Sequence, residues 1–286
     1  MFTNQTILSD NSGNELRFSS VSKFNDKVHF KNFSVKYVIE GEENYSINQK
    51  RYCVKKGEFV VGNQHSFSSI LIDSPHPVKG ICIDISEQKL LEIIHYHLDD
   101  SVPFESYLFT DELLNKKFQA NNTSLGVKLE QLGKKIQSAL EPPVLSANDL
   151  FYSLADSIVA DQMQLYSQYS KLKFCKQETN KRLFSFILEA THNIDAHFTE
   201  KMQIVDLAKS ASLSEYHFIR LFKSVNGVTP HQYVIRKRLA FSKLLLSDNC
   251  SVSEAAFQSG FSDVYSFSKS FKAAYGYSPT LFKNSN

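Results

Sequence analysis

At 286 residues and a formal net charge of +2, the chain is long enough for two ordinary cores, and its 42% hydrophobic, 22% charged composition excludes a disordered or fibrous protein. No run approaches the roughly 18 to 20 apolar residues of a membrane span, and Met1 to Asn14 has no basic-then-apolar export signal, so a cytoplasmic protein with no membrane partner is expected. Cys53, Cys82, Cys175 and Cys250 lack the CxxC spacing of zinc or redox sites, which leaves buried free thiols as the plain reading and an oxidant sensor as the alternative.

From about Glu15 to Ile85 short β-prone runs are broken by turn residues. Phe33, Val35, Tyr37 and Ile39 alternate with Ser34 and Lys36, which predicts a strand with one apolar face inward. A turn over Glu40 to Asn44, a strand from Tyr45 to Val54, a turn over Lys55 to Glu58 and a strand at Phe59 to Val61 follow. Gly62 to His65 is read as a turn, Phe67 to Ile72 as a strand, Asp73 to Pro77 as a loop and Val78 to Ile85 as the last strand. Strands spaced this evenly predict a small sandwich or barrel.

The period then lengthens to about 3.6. Ser86 to His97 is predicted helical, as is Ser124 to Leu140, where Leu125, Leu129, Leu132, Ile136 and Leu140 make one stripe that Pro142-Pro143 ends. Ser146 to Tyr169 repeats the pattern with Leu150, Leu154, Ile158 and Leu165. These stripes either fill a core within the chain or meet across a dimer axis. Residues 1–170 are thus expected to form one domain, with strands at about 15–85 and helices at about 86–170. Lys171 to Asn180 is polar and aperiodic and is taken as a linker, and residues 181–286 are expected to form a second, all-helical domain.

That second domain carries the same pattern twice. Phe222-Lys223, Gly227 and Pro230 recur 49 residues later as Phe271-Lys272, Gly276 and Pro279. Before each Phe-Lys runs a helical stretch, Ser214 to Lys223 and Asp263 to Lys272, and before that a short helix, Ile204 to Ala211 and Val252 to Ser259. Two helices joined by a tight turn, the second rich in groups that touch nucleic acid, form a helix-turn-helix. The helix from about Pro230 to Leu246 spaces the copies, with Pro230 in its first turn. Charge follows the same division: from Lys171 onward there are 16 Lys and Arg against 9 Asp and Glu, a net +7, which leaves −5 on the rest of the chain.

With these residues in view, Lys181 to Phe282 resembles the DNA-binding domain of the AraC/XylS family of bacterial transcriptional regulators. The matching stretches are IVDLAKSASLSEYHFIRLFKSVNGVTPHQYVIRKRLAFSKLLL and SVSEAAFQSGFSDVYSFSKSFKAAYGYSP, with Arg238-Leu239-Ala240 and Gly260-Phe261-Ser262-Asp263 in order. The first half looks more loosely like the cupin-like sensor domain of many members, with turns at Gly41, Gly57-Glu58 and His65. The fold class implied is α+β in two domains: a cupin-like β-barrel with helices of its own, then an all-α double helix-turn-helix domain.

The resemblance implies DNA contacts from Tyr216, Ile219 and Arg220 in the first copy, with Lys223 on the same side, and from Val264, Tyr265, Ser266 and Lys269 in the second. Arg220 suits a guanine edge, whereas Lys269 stands where the family has an arginine and suits a phosphate. Arg236, Lys237 and Arg238 either face the DNA backbone or are solvated, and the family's Arg238 position tends to be structural. Phe222, Phe271, Ala208 and Ala256 are assigned to the core.

In the first domain His29, His65, His76, His95 and His97 form no metal-cupin HxH pattern, and neither a phosphate loop nor a nucleophile elbow is present. No catalytic residue, metal or cofactor is assigned. Tyr37, Ile39, Tyr45, Tyr52 and Phe59 either line a pocket for a small effector of unspecified charge or are plain core. The expected protein is a homodimeric, non-enzymatic transcriptional regulator of double-stranded DNA, an activator that contacts RNA polymerase under control of an effector. The alternatives are a ligand-independent regulator with a purely dimerising first domain and a cupin enzyme tethered to DNA.

Overall fold

The computed structural model describes residues 2–99, 101–110, 113, 116–138, 146–172 and 177–284. Cys175, Leu140 and the Pro142-Pro143 stop signal lie outside them. Two compact units divide the chain, Met1–Ser167 and Gln168–Asn286.

The first unit is a single antiparallel sheet folded over along two long strands. In chain order its strands are β1 (Phe2–Ser9), β2 (Glu15–His29), β3 (Phe33–Glu40), β4 (Glu42–Ile47), β5 (Lys50–Lys55), β6 (Glu58–Gly62), β7 (Phe67–Ile85) and β8 (Lys117–Gln119). β7 pairs with β2 along nearly its whole length, while its first half also pairs with β4 and its second half with β3. The order across the sheet is β1-β2-β7-β3-β6-β8, with the β4–β5 hairpin beside the first half of β7.

Several sequence expectations are corrected here. The predicted single strand from Tyr45 to Val54 is a hairpin, β4 to β5, turning at Asn48-Gln49. Both turn residues have positive φ, 47° and 67°, the conformation of a two-residue hairpin turn of right-handed twist. The predicted loop Asp73–Pro77 lies within one long β7. Its ladder to β2 passes from Val21↔Val78 to Lys23↔Asp73, so residues 74 to 77 bulge opposite Ser22 where Pro75 and Pro77 have no N–H to donate. β1 and β8 are additional, and in β2 the apolar residues Leu16, Phe18, Val21, Phe24 and Val28 change parity across a bulge between Val21 and Lys23, which breaks the alternation that marks a half-buried strand.

β3 is not apolar on one face only; it is buried on both. Val35, Tyr37 and Ile39, with Phe59, Val61, Ile81, Ile83 and Ile85, pack under helices. Those helices are α1 (Glu87–His97), α2 (Val102–Phe109), α3 (Ser124–Gln137) and α4 (Ala147–Ser170). The opposite face of β3 and β6, with Val38 and Val60, meets Tyr45, Ile47, Val54, Ile70 and Ile72 from the other half of the sheet. Leu125, Leu129 and Leu132 of α3 and Leu150, Leu154 and Ile158 of α4 lie in the helix-facing core, so their stripes are spent within the chain. Each such buried side chain contributes roughly 1.5–3 kcal/mol.

The second unit is helical throughout. α5 (Gln177–His197) begins inside the stretch read as linker, because Gln177 to Asn180 join the helix that buries Leu183, Phe184 and Ile187. It is followed by α6 (Ile204–Ser210), α7 (Glu215–Asn226), α8 (Pro230–Ser247), α9 (Val252–Gln258), α10 (Val264–Tyr275) and α11 (Pro279–Asn284). At 1.5 Å per residue the 18-residue α8 is a spacer about 27 Å long. Pro230 sits in its first turn behind Thr229, whose side chain accepts from Gln232 N while the Gln232 side chain accepts from Thr229 N.

Candidate nucleic-acid interface and interior cavity

The two copies agree down to their hydrogen bonds. α7 starts at Ser214, whose hydroxyl accepts from His217 N, and α10 starts at Asp263, whose carboxylate accepts from Ser266 N at 2.7 Å. That backbone N–H holds the Asp263 carboxyl below its ordinary value. Each helix ends on a left-handed glycine, Gly227 at φ 76° and Gly276 at φ 84°, whose N–H donates to Lys223 O and Lys272 O respectively.

Each helix has one buried side. Phe218, Leu221, Phe222 and Val225 are buried on α7, and Phe267 and Phe271 on α10, with their partners Ala208 on α6 and Ala256 on α9. The opposite side is left to solvent. Tyr216 and Tyr265, 49 residues apart, are both 77% exposed. Arg220, Lys223, Ser266 and Lys269 are exposed too, while Ile219 is half-buried and Val264 packs partly into the second core. No ion pair to a described residue ties up the charge of Arg220, Lys223 or Lys269. Sliding the first copy onto the second also brings out two exposed residues that the sequence reading passed over, His217 at the place of Ser266 and Lys272 at the place of Lys223.

The basic run on α8 is mostly committed inward. Arg238 donates from Nε to Phe198 O at 2.6 Å and from a terminal nitrogen to Glu200 O at 2.7 Å, satisfying carbonyls just past the end of α5. Lys237 pairs with Asp195 at 2.7 Å, and Tyr233 OH donates to the same carboxylate at 3.1 Å. Arg236 alone of the three is exposed. The loop that Arg238 holds is also met from the second copy: a Cβ on Gly260, at φ 89°, would stand 2.4 Å from Thr199 O. Ser212 is the matching turn residue in the first copy and has φ 54° with a side chain.

In the first unit the two halves of the folded sheet flank a half-open cavity of about 180 Å³. Val21, Phe24, Val28, Ile70 and Ile72 form its apolar wall, and Arg17, Lys36, Glu43, Tyr45 and Cys82 its polar end. Of the five aromatic and aliphatic candidates, Tyr37 and Tyr45 line this space. Tyr52 packs against the same core, where burial pushes its hydroxyl up to about 12, while Ile39 and Phe59 belong to the helix-facing core. Tyr37 borders the cavity while its side chain shares the helix-facing core with Ile39, the residue of the same parity on β3, whereas Lys36 and Val38 alternate to the other face.

The histidines do not converge. His29, His65 and His76 are exposed, His95 meets Glu105 at 2.9 Å and His97 meets Asp156 at 3.0 Å. Among the described residues no three His, Cys, Asp or Glu side chains form a metal-holding group, and no helix is long and apolar enough to cross a membrane. Cys82 is buried, and Cys53 and Cys250 are half-buried.

Residues 207–285 match a family model described as a helix-turn-helix domain. The chain is 31% identical over 182 residues to the probable transcriptional regulator LumQ of Photobacterium leiognathi, covering 63% of this chain and 68% of that protein. It is 23% identical over 258 residues to the Msm operon regulatory protein of Streptococcus mutans, covering 88% and 84% respectively. Among solved structures, the DNA-binding domain of AdpA in complex with a target DNA is 28% identical over 35% of this chain and 90% of that one, at a TM-score of 0.33. With its duplicated helix-turn-helix and these relatives, the chain belongs to the AraC/XylS family of DNA-binding transcriptional regulators.

Proposed function

We propose that the protein is an effector-controlled transcriptional activator that lays α7 and α10 into successive major-groove segments of one DNA site. The matched exposed faces of these two helices carry the reading. In it Tyr216, Ile219, Arg220 and Lys223 contact the first segment and Val264, Tyr265, Ser266 and Lys269 the second. His217 and Lys272 join them because they occupy the matching places. Arg220 reads a base edge and the lysines hold phosphates.

The N-terminal unit, residues 1–167, supplies the homodimer contact and binds a small effector in its interior cavity. An effector that prefers one arrangement of the protein shifts the population toward it, and activation then proceeds through RNA polymerase in the cytoplasm where the DNA lies. Purified protein mixed with sheared genomic DNA near physiological salt, followed by sequencing of the retained fragments, tests the reading. Enrichment of a few promoter sites, lost in the Arg220→Ala, Lys269→Ala double variant, is expected. Uniform retention, or the same sites in the variant, would contradict it.

A further inference from the structure

The outward faces of α7 and α10 differ in what they can recognise on a base pair. Planar groups that make two parallel bonds to one base, the Arg fork on guanine and the Asn or Gln amide on adenine, are the strong readers of purines. α7 turns one of them outward. Arg220 is exposed, while the Asn226 amide donates inward to Thr191 Oγ1 at 3.2 Å and to Phe222 O at 3.3 Å. α10 has none: from Val264 to Lys283 the chain contains no Arg, Asn, Gln, His, Asp or Glu. Asp263, just before it, serves its own helix cap, with Oδ1 on Ser266 N at 2.7 Å and Oδ2 on the Ser262 hydroxyl at 3.2 Å.

What α10 does present is the Tyr265 ring, 77% exposed, with the half-buried Val264 beside it, the hydroxyls of Ser266 and Ser268, and the ammonium groups of Lys269 and Lys272. A hydroxyl donates or accepts and so discriminates bases poorly, and an ammonium is a point charge that a phosphate satisfies as well as a guanine does. The major-groove feature that suits an aromatic ring and a branched aliphatic side chain is the thymine C5 methyl group. Resting on the DNA-binding reading above, we propose that α10 reads its segment through thymine methyl groups, with Tyr265 as the specificity-determining residue, Val264 as a second contact, and Lys269 and Lys272 on the phosphates. The DNA site is then chemically lopsided. Its first segment requires a guanine edge for Arg220, and its second requires thymines and is indifferent to purine N7.

Synthetic duplexes of one site recovered by the genomic selection allow single groups of the DNA to be changed, one segment at a time. Uracil in place of thymine removes the methyl group, and 7-deazaguanine in place of guanine removes the N7 acceptor. Full-length protein should lose about fourfold in affinity for each contacted thymine replaced in the second segment, the effect of one buried methyl group. Tyr265→Ala should shrink that loss, and its exposed position leaves the fold intact. 7-Deazaguanine should cost at least about fivefold in the first segment and nothing in the second. Uracil without effect in the second segment, a second segment that contains no thymine, or a 7-deazaguanine penalty there as large as in the first would overturn the proposal and leave DNA binding standing. Recovery of no site at all would remove both.

Discussion

Arg220 and Lys269 stand 49 residues apart at the same place on α7 and α10, and their head groups differ in what they can read. A guanidinium presents a planar fork that matches guanine O6 and N7, whereas an ammonium is a point charge that serves a phosphate equally well. Arg220→Ala should therefore cost about 1–3 kcal/mol at its preferred site and relax base choice there. Lys269→Ala should weaken all sequences alike and lower the salt slope by about one. Fluorescence anisotropy on cognate and scrambled DNA at several salt concentrations checks both; an Arg220→Ala protein with unchanged preference would refute the first. Glu43 gives a second residue-scale test. Burial raises its carboxyl above the ordinary 4.5, so between that pH and its folded value the folded chain holds a proton the unfolded chain has lost. Stability of the first unit should fall as pH rises through that window, by up to about 1.4 kcal/mol per unit. Glu43→Gln, which keeps an acceptor for Tyr45, should flatten this fall in urea unfolding between pH 4.5 and 7; parallel curves for the two proteins would speak against it.

At the scale of elements, the two helix-turn-helix copies are alike in their helices and unlike in their turns. Gly276 has positive φ in open space, so Gly276→Ala meets only the left-handed penalty of about 1–2 kcal/mol. Gly260 has positive φ and the backbone of Thr199 against it, so Gly260→Ala should cost clearly more, about 3 kcal/mol or above, and loosen the loop that Arg238 holds. Thermal unfolding of the two variants side by side measures the difference, and equal losses would contradict the close approach. How much of this was legible follows from the physics of each element. The helices α3 and α4 were legible from their amphipathic stripes, and α7 and α10 from an N-cap and a C-terminal glycine as well, all of them local signals. The Asn48-Gln49 hairpin was not, since Gln49 gives no hint of the left-handed conformation that the paired strands impose on it. β2 was hard to read for another reason: the polar run at Ser19, Ser20, Ser22 and Lys23 and the bulge after Val21 interrupt its apolar alternation, and its pairing with β7 is a long-range fact. In the cavity, Lys36 was read as the solvent side of a strand, and only the folding over of the sheet turns that side inward.

For the molecule as a whole, the charge division and the two compact units agree with DNA contact at the basic end, and the proposed function gives dimerisation and sensing to the other. Residues 168–286 alone keep the Tyr169 ring against Phe184, with centroids 5.5 Å apart, so this fragment should fold. It should be monomeric and bind the site more weakly than the full chain, because a second subunit no longer raises the local concentration of its own site. Sedimentation and titration of fragment and full-length protein would show it; the same oligomeric state and affinity in both would place the dimer contact elsewhere. The central claim is the double grip, and a hydroxyl-radical footprint on a recovered genomic site tests it most directly. The account predicts two protected patches per subunit about one helical turn apart, the first weakened by Arg220→Ala and the second by Lys269→Ala. A single patch that both variants weaken equally would contradict it.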